Sequence, residues 1–207
     1  MIISRTGGGD FAPAREGVHV AICTRVIDLG TQTSTYKGED KRAKKVLIGW
    51  ELPDEPLIEI NGEQLPPMIM GRYTASLHEK AQLFALLVSW RGRKFTDDEL
   101  KAFDLKNVLG APCYLQVIHS DDGKFANVKT LMPLPKGVAK PTATGPLIHL
   151  SLAPDEFDPK AYEALTPKMK AIIADAPEYL VATGRAPAQG AAGPVETAHD
   201  YDDEIPF

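Results

Sequence analysis

A short basic stretch holds the side chains best suited to bind an anion. Five cations and one aromatic ring fall within ten residues: Tyr36, Lys37, Lys41, Arg42, Lys44 and Lys45. Such cations can follow a row of phosphates, and a tyrosine ring can stack on a base. The alternative is a solvated charged loop without a ligand. Because residues 30–45 are polar throughout, we predict a basic loop between two strands.

Arg72 is a further candidate cation, because it interrupts the otherwise apolar strand predicted at residues 68–75. A charge within a strand must face solvent or a ligand, and we expect Arg72 to contact a phosphate. Tyr73 shares a face with Ile69, and this pattern leaves the core and the binding face equally open for its ring. Trp50 could stack on a base, but it shares the predicted core face of strand 46–52 with Val46, Ile48 and Leu52, and we predict that it is buried.

Phe125 and Lys129 complete the set of candidate binding residues. They share one face of the last predicted strand with Asn127, because successive side chains of a strand point to opposite faces. Ala126 and Val128 lie on the other face and are suited to burial. We therefore expect Phe125 and Lys129 to face a ligand.

A second mixture of basic and aromatic residues follows the predicted helix. Its members are Trp90, Arg91, Arg93, Lys94 and Phe95. These residues could form another anion-binding patch. Alternatively, Trp90 caps the hydrophobic core, and the sequence leaves both interpretations open.

Alternating apolar residues predict five strands that would carry these side chains. The strands fall at residues 17–29, 46–52, 68–75, 113–119 and 124–131. A capping-box pattern at Ser76 predicts a helix with Leu77, Ala81, Phe84 and Val88 on one face, and a second at Thr96 predicts a shorter helix. This order is that of an OB-fold. We predict a mainly β fold with helices: a five-stranded OB-fold barrel with a helix between strands 3 and 4.

The C-terminal third differs from the predicted barrel in its amino-acid composition and predicted secondary structure. Prolines at 135, 141 and 146 predict an extended strap, and Asp158-Pro159 and Thr166-Pro167 predict two short helices that pack on the barrel. Alanine, glycine and proline from residue 184 onwards predict a flexible linker. The predicted organisation is a flexible arm (1–15), a barrel domain (16–137), a strap with short helices (138–182), and a linker with a disordered acidic tail (183–207).

Charge and composition narrow the function classes. The first 134 residues hold 17 basic and 17 acidic residues, whereas the remainder holds 6 and 11, so the net charge of −5 comes from the C-terminal third. Neither Cys23 nor Cys113 has a partner at zinc spacing, and we expect two buried thiols. No catalytic motif, metal-ligand pattern or cofactor loop is present, which predicts a non-enzyme without cofactors. Without a spanning segment or a secretory signal, we expect a cytoplasmic protein.

The last residues combine acids with an apolar tip, in the order Asp202, Asp203, Glu204, Ile205, Pro206 and Phe207. Bacterial and phage single-stranded-DNA-binding proteins end in a similar acidic run closed by Ile-Pro-Phe. Residues 73–80, 89–96 and 103–110 also resemble phage-encoded members of this family, and the resemblance extends over residues 17–137. In that family the tail recruits replication, recombination and repair enzymes, so the resemblance implies the same role for residues 202–207.

The resemblance implies a non-catalytic protein that binds and protects single-stranded DNA, in the host cytoplasm if phage-encoded. Its expected partners are single-stranded DNA and replication or recombination enzymes, with a homo-oligomer also possible. Two alternatives stay open on the sequence. One is an OB-fold adaptor that binds nucleic acid weakly or as RNA, and the other is a nuclease or recombination accessory enzyme.

Overall fold

A computed structural model describes residues 13–36, 39–60 and 62–185. The first half of the chain forms β1 (Gly17–Tyr36), β2 (Glu39–Glu51), β3 (Ile58–Ile60), β4 (Glu63–Leu65) and β5 (Met68–Thr74). Helices α1 (Gln82–Arg91) and α2 (Asp97–Lys101) and a 3-10 helix (Leu105–Val108) follow. The chain continues through β6 (Pro112–His119), β7 (Ala126–Met132), β8 (Ile148–Leu150), α3 (Pro159–Glu163), α4 (Pro167–Ala174) and α5 (Pro177–Ala182).

Six strands form one sheet, so the fold is mainly β with short helices, as predicted. The strand order is β5-β2-β1-β6-β7 with antiparallel neighbours, and β8 pairs with β1 in parallel. At the two ends of this order, β5 and β7 approach each other within 8 Å between Cα atoms. The short β3 and β4 form a separate hairpin in the connection before β5. Asn61, where a turn was predicted, lies outside the described residues.

The predicted basic loop is wrong, because residues 30–36 and 39–45 continue the two strands on either side. The ladder between β1 and β2 runs from the Ile22–Glu51 pair to the Tyr36–Glu39 pair. Thr31, Thr33 and Thr35 are β-branched residues that favour an extended backbone. The polar composition therefore reflects a solvated strand pair. We name residues 31–36 and 39–44 the arm.

A first core lies between the sheet and α1. It contains Trp50, fully buried as predicted, and Trp90, and their ring centroids are 5.8 Å apart. The predicted start and face of this helix are wrong. Ser76 accepts a hydrogen bond from the His78 amide in a turn, and α1 begins six residues later. Its buried residues are Leu83, Leu86, Leu87 and Trp90.

A second core lies on the opposite side of β1. We name β8 and α3–α5, residues 148–182, the C-terminal layer. Its side chains cover Ile27, Leu29 and Leu47, and Met70 packs against the same cluster. The predicted caps are confirmed here: the Asp158 side chain accepts the Lys160 amide of α3, and the Thr166 side chain accepts the Met169 amide of α4. β1 is thus buried on both faces where this layer crosses it.

Two histidines fasten the residues that precede β1. His19 Nε2 donates to the Arg15 carbonyl and His119 Nε2 donates to the Ala14 carbonyl, each at 2.8 Å. The Arg15 guanidinium contacts the buried Glu55 carboxylate at 3.1 Å. Residues 13–16 therefore pack against the sheet. Residues 1–12, the rest of the flexible N-terminal segment predicted at residues 1–15, lie outside the described part of the chain.

Candidate nucleic-acid interface

Strand pairing divides the predicted basic residues between two faces of the arm. Because side chains alternate along β2 and directly paired residues share a face, Lys41 and Lys45 lie on the face that carries Leu47. Arg72 pairs with Leu47 and joins this face. Arg42 and Lys44 lie on the opposite face. The candidate cations therefore surround a two-stranded ribbon.

On the first face, Lys45 serves the sheet itself. Only 8% of Lys45 is exposed, and its Nζ donates to Thr74 Oγ1 at 2.8 Å across the β2–β5 pair. This burial does not fit the predicted phosphate contact. Arg72 is half-buried, with Nη2 3.4 Å from Gln32 Oε1 at the border of the C-terminal layer. Lys41 is half-buried opposite Ser34, nearer the end of the arm.

On the second face, Arg42 is exposed and lies opposite Thr33. Lys44 is also exposed, and its Nζ lies 2.9 Å from Asp28 Oδ2. The Lys44 side chain is 48% exposed and that of Asp28 only 16%, so Lys44 neutralises a largely buried carboxylate while it stays accessible from solvent. Arg42 and Lys44 are thus the more accessible cations of the arm.

The two tyrosines considered for stacking on bases, Tyr36 and Tyr73, lie in different environments. Tyr36 is the last residue of β1 and pairs with Glu39. Lys37 lies outside the described residues. Tyr73 is 6% exposed within the first core. This position answers the question that the sequence left open for Tyr73, because a buried ring has no free face for a base.

Phe125 and Lys129 are not brought to the arm. Phe125 is half-buried before β7, where its amide donates to Ser120 Oγ at 3.1 Å, and Lys129 is exposed on β7. β6 separates this strand from β1. Ala126 and Val128 pack against the first core, as predicted, but the β6–β7 ladder shifts register at Lys129 and interrupts the alternation there. Phe125 and Lys129 form a separate, weaker candidate site for nucleic-acid binding.

In the second basic and aromatic mixture, both arginines share one carboxylate. We name Arg91, Arg93, Phe95, Glu99 and Phe103 the helix-end cluster. Both guanidinium groups bond the Glu99 carboxylate, Arg93 Nη2 at 2.7 Å, and Arg91 lies 4.3 Å from the centre of the Phe95 ring. Trp90 is buried beside it and donates to the Pro112 carbonyl at 3.2 Å.

Hydrogen bonds from Arg93 and from the Thr96 amide, together with Arg91, hold the pKa of Glu99 well below its usual range. Glu99 therefore remains ionised and pairs with both arginines at neutral pH, while Arg91 Nη1 is buried without a hydrogen-bond partner among the described residues. The predicted capping box is confirmed in the same place, because the Thr96 side chain accepts the Glu99 amide and the Glu99 carboxylate accepts the Thr96 amide. We assign this cluster to stability rather than to ligand binding.

The sequence predicted two short helices that pack on the barrel, but not β8, α5 or the cover that these elements form together over β1 and β2. One signal was that Val26 on one face of the strand and Ile27 and Leu29 on the other are all apolar, since a strand with one solvated face alternates more strictly. The layer also brings Glu178 to Thr31 at the base of the arm. The outer face at Leu47 and Met70 is therefore closed, and the arm beyond it is the accessible basic surface.

Nucleophilic and metal-binding side chains add no second site within the described ranges. Burial raises the pKa of Cys23 to about 12, and the pKa of Cys113 is raised for the same reason. Both thiols are buried, as predicted, and free. No group of three or more His, Cys, Asp or Glu residues could hold a metal ion in residues 13–36, 39–60 and 62–185.

No helix in the described part of the chain is long and apolar enough to cross a membrane. Residues 202–207, the predicted partner-binding tail, lie beyond the described ranges. Comparison of the chain with protein-family models, with curated proteins and with solved structures found no match.

Proposed function

We propose that this chain is an OB-fold protein that binds single-stranded DNA without strong sequence preference. The strand order β5-β2-β1-β6-β7, with α1 between β5 and β6, supports the fold assignment. It is the order of a five-stranded Greek-key barrel with a helix after its third strand. The approach of β5 to β7 within 8 Å between Cα atoms supports the closure that such a barrel requires.

The basic arm is the observation that carries the binding proposal. The arm extends beyond the covered part of the sheet as a two-stranded ribbon. It carries cations on both faces, including the accessible Arg42 and Lys44. In OB-folds the loop between the first two strands is a regular contact for nucleic acid. A flexible single strand of DNA can bend around the ribbon and contact the cations on both faces. A rigid duplex cannot bend in this way, so the arrangement favours single-stranded DNA.

We further propose that residues 202–207 recruit replication and recombination enzymes. Asp202, Asp203 and Glu204 can steer the segment towards a basic surface, whereas Ile205, Pro206 and Phe207 supply an apolar tip. Burial of a phenylalanine ring contributes about 1.5–3 kcal/mol. That free energy suits a reversible contact between a DNA-bound protein and its enzymes. The protein itself then acts as a non-catalytic, protecting and recruiting factor.

Anisotropy of fluorescein-labelled oligo-dT tests the DNA proposal. Tryptophan fluorescence is a poor signal here, because Trp50 and Trp90 are both buried. We expect length-dependent binding whose log–log salt slope is about −0.7 for each phosphate contacted. A duplex of equal length should bind more weakly. Equal affinity for the duplex, or no binding at 50 mM salt (about 14 Å Debye length), would refute the proposal.

Removal of Phe207 tests the recruitment proposal separately. The shortened chain should lose capture of replication or recombination enzymes from a host extract, because the apolar tip is incomplete. Its affinity for oligo-dT should stay within about twofold of the full chain, because the ring carries no charge for the arm. Unchanged capture, or a large change in DNA affinity, would contradict this role.

A further inference from the structure

The base of the arm is held by one carboxylate of the C-terminal layer. Glu178, in the first turn of α5, accepts hydrogen bonds from the Thr31 amide at 2.8 Å and from the Thr31 hydroxyl at 2.6 Å. Burial on its own raises the pKa of Glu178, but the two Thr31 hydrogen bonds, the backbone amide of Glu178 and the charge of Lys44 together outweigh it and lower the pKa. The carboxylate that accepts these two Thr31 hydrogen bonds is therefore ionised.

The residues on either side of Thr31 fit the same layer closely. Gly30 has a φ of 69°, and a Cβ at this position would lie 2.5 Å from the Ala176 Cβ. The Gln32 amide donates to the Ile172 carbonyl at 3.0 Å. Three consecutive residues of β1 thus contact α4, α5 and the turn between them.

This contact lies at the point where the arm loses its third strand. β5 pairs with β2 only as far as the Lys45–Thr74 pair, and β1 shifts register between Asp28 and Gly30. Beyond this point the arm is a ribbon of two strands. A two-stranded ribbon is at best marginally stable in water, so its direction depends on how its base is fixed.

We propose that Glu178 is a positioning residue for single-stranded DNA binding. It fixes Thr31, and through the β1–β2 ladder it fixes Lys41 and Arg42 relative to Arg72. Gln32 extends the same connection, because its side chain contacts both Ile172 and Arg72. The inference deepens the proposed function and rests on it. The C-terminal layer thereby sets DNA affinity without supplying a cation to the DNA.

Glu178→Gln tests this role, since it keeps the shape of the side chain and removes its charge. Thr31→Val removes the hydroxyl donor, and Thr31→Ser restores it. Glu163→Gln is the matched control, because Glu163 belongs to the same layer and pairs with Lys170. For each variant, amide hydrogen exchange of residues 31–36 and 39–44 is measured without DNA, followed by oligo-dT anisotropy.

We expect Glu178→Gln and Thr31→Val to speed exchange in the arm and to weaken oligo-dT binding, each on the order of tenfold. Thr31→Ser and Glu163→Gln should behave as the parent protein. Amides of β6 should keep their protection in every variant, which separates a loosened arm from general unfolding. A merely structural contact would change the arm exchange and leave the affinity untouched.

Two results would overturn the inference: parental exchange in the arm of Glu178→Gln, or faster exchange with parental DNA affinity. A parent protein that fails to bind oligo-dT would instead refute the proposed function. The exchange measurement needs no DNA, so it would then decide alone whether Glu178 positions the arm.

Discussion

The arm and the helix-end cluster have similar compositions in the sequence and opposite characters in the structure. Each brings several cations together with aromatic residues. In the helix-end cluster, one carboxylate, Glu99, bonds both arginines, and aromatic rings cover Arg91. In the arm, Arg42 is exposed, and Lys44 is about half-exposed beside the largely buried Asp28 carboxylate. Local charge density therefore identifies candidate anion sites, and the placement of acids decides which cations are available.

Truncation of Trp90 should give the largest effect, because it anchors the helix-end cluster to the first core. Replacement of a buried tryptophan by alanine typically costs about 3–5 kcal/mol, and Trp90→Ala also loses the bond to the Pro112 carbonyl. Urea unfolding followed by circular dichroism measures this free energy. Leu100→Ala, at an exposed position, serves as the control. A loss below about 1 kcal/mol would show that the cluster does not depend on the core.

The double variant Lys41→Ala/Arg42→Ala should separate the two regions by DNA affinity. If each side chain contacts one phosphate, the magnitude of the salt slope falls by about 1.4, and affinity at low salt falls on the order of tenfold. Arg93→Ala is the matched control, because Arg93 is exposed but bonded to Glu99. An equal loss of oligo-dT affinity in both variants would remove the distinction drawn between arm and cluster.

Glu99→Gln should give a smaller and pH-dependent effect. The pKa of Glu99 is lowered in the folded protein, so its stabilisation is present above the unfolded pKa of about 4.3 and fades as the pH falls towards the folded value. The difference in Tm between parent and variant should therefore be largest near neutral pH and shrink below about pH 4. Calorimetry from acid to neutral pH measures it.

Asp98→Asn is the control for this pH profile, because Asp98 is an exposed acid on the same helix with only Lys101 as partner. Its Tm should follow that of the parent at every pH. A Tm difference for Glu99→Gln that does not vary with pH would show that the carboxylate contributes by shape rather than by charge.

Much of the sheet could be predicted from local pattern, whereas the site depended on contacts distant in sequence. Alternation located every strand of the main sheet except β8, and the caps at Thr96, Asp158 and Thr166 were recognisable because they involve residues only a few positions apart. The length of the arm was missed because its threonines and charges have the composition of a loop.

The pairings that define the candidate site join residues far apart along the chain. Thr31 and Glu178 are separated by 147 positions, and the cover over Leu47 comes from the C-terminal layer. Nothing in the local sequence of residues 30–45 indicates either contact. The burial of Lys45 and Tyr73 follows equally from neighbours on other strands, so their predicted exposure could not be judged from periodicity alone.

The alkylation rate of the two buried thiols can report local opening of the sheet at β1 and β6. Cys23 and Cys113 lie in the neighbouring strands β1 and β6, and both are fully covered. A thiol with a pKa of about 12 is ionised to only about one part in 10,000 at pH 8. Alkylation must therefore wait until the two strands separate, and its rate reports how often they do. A cysteine introduced on the arm would react first and could carry a label alone.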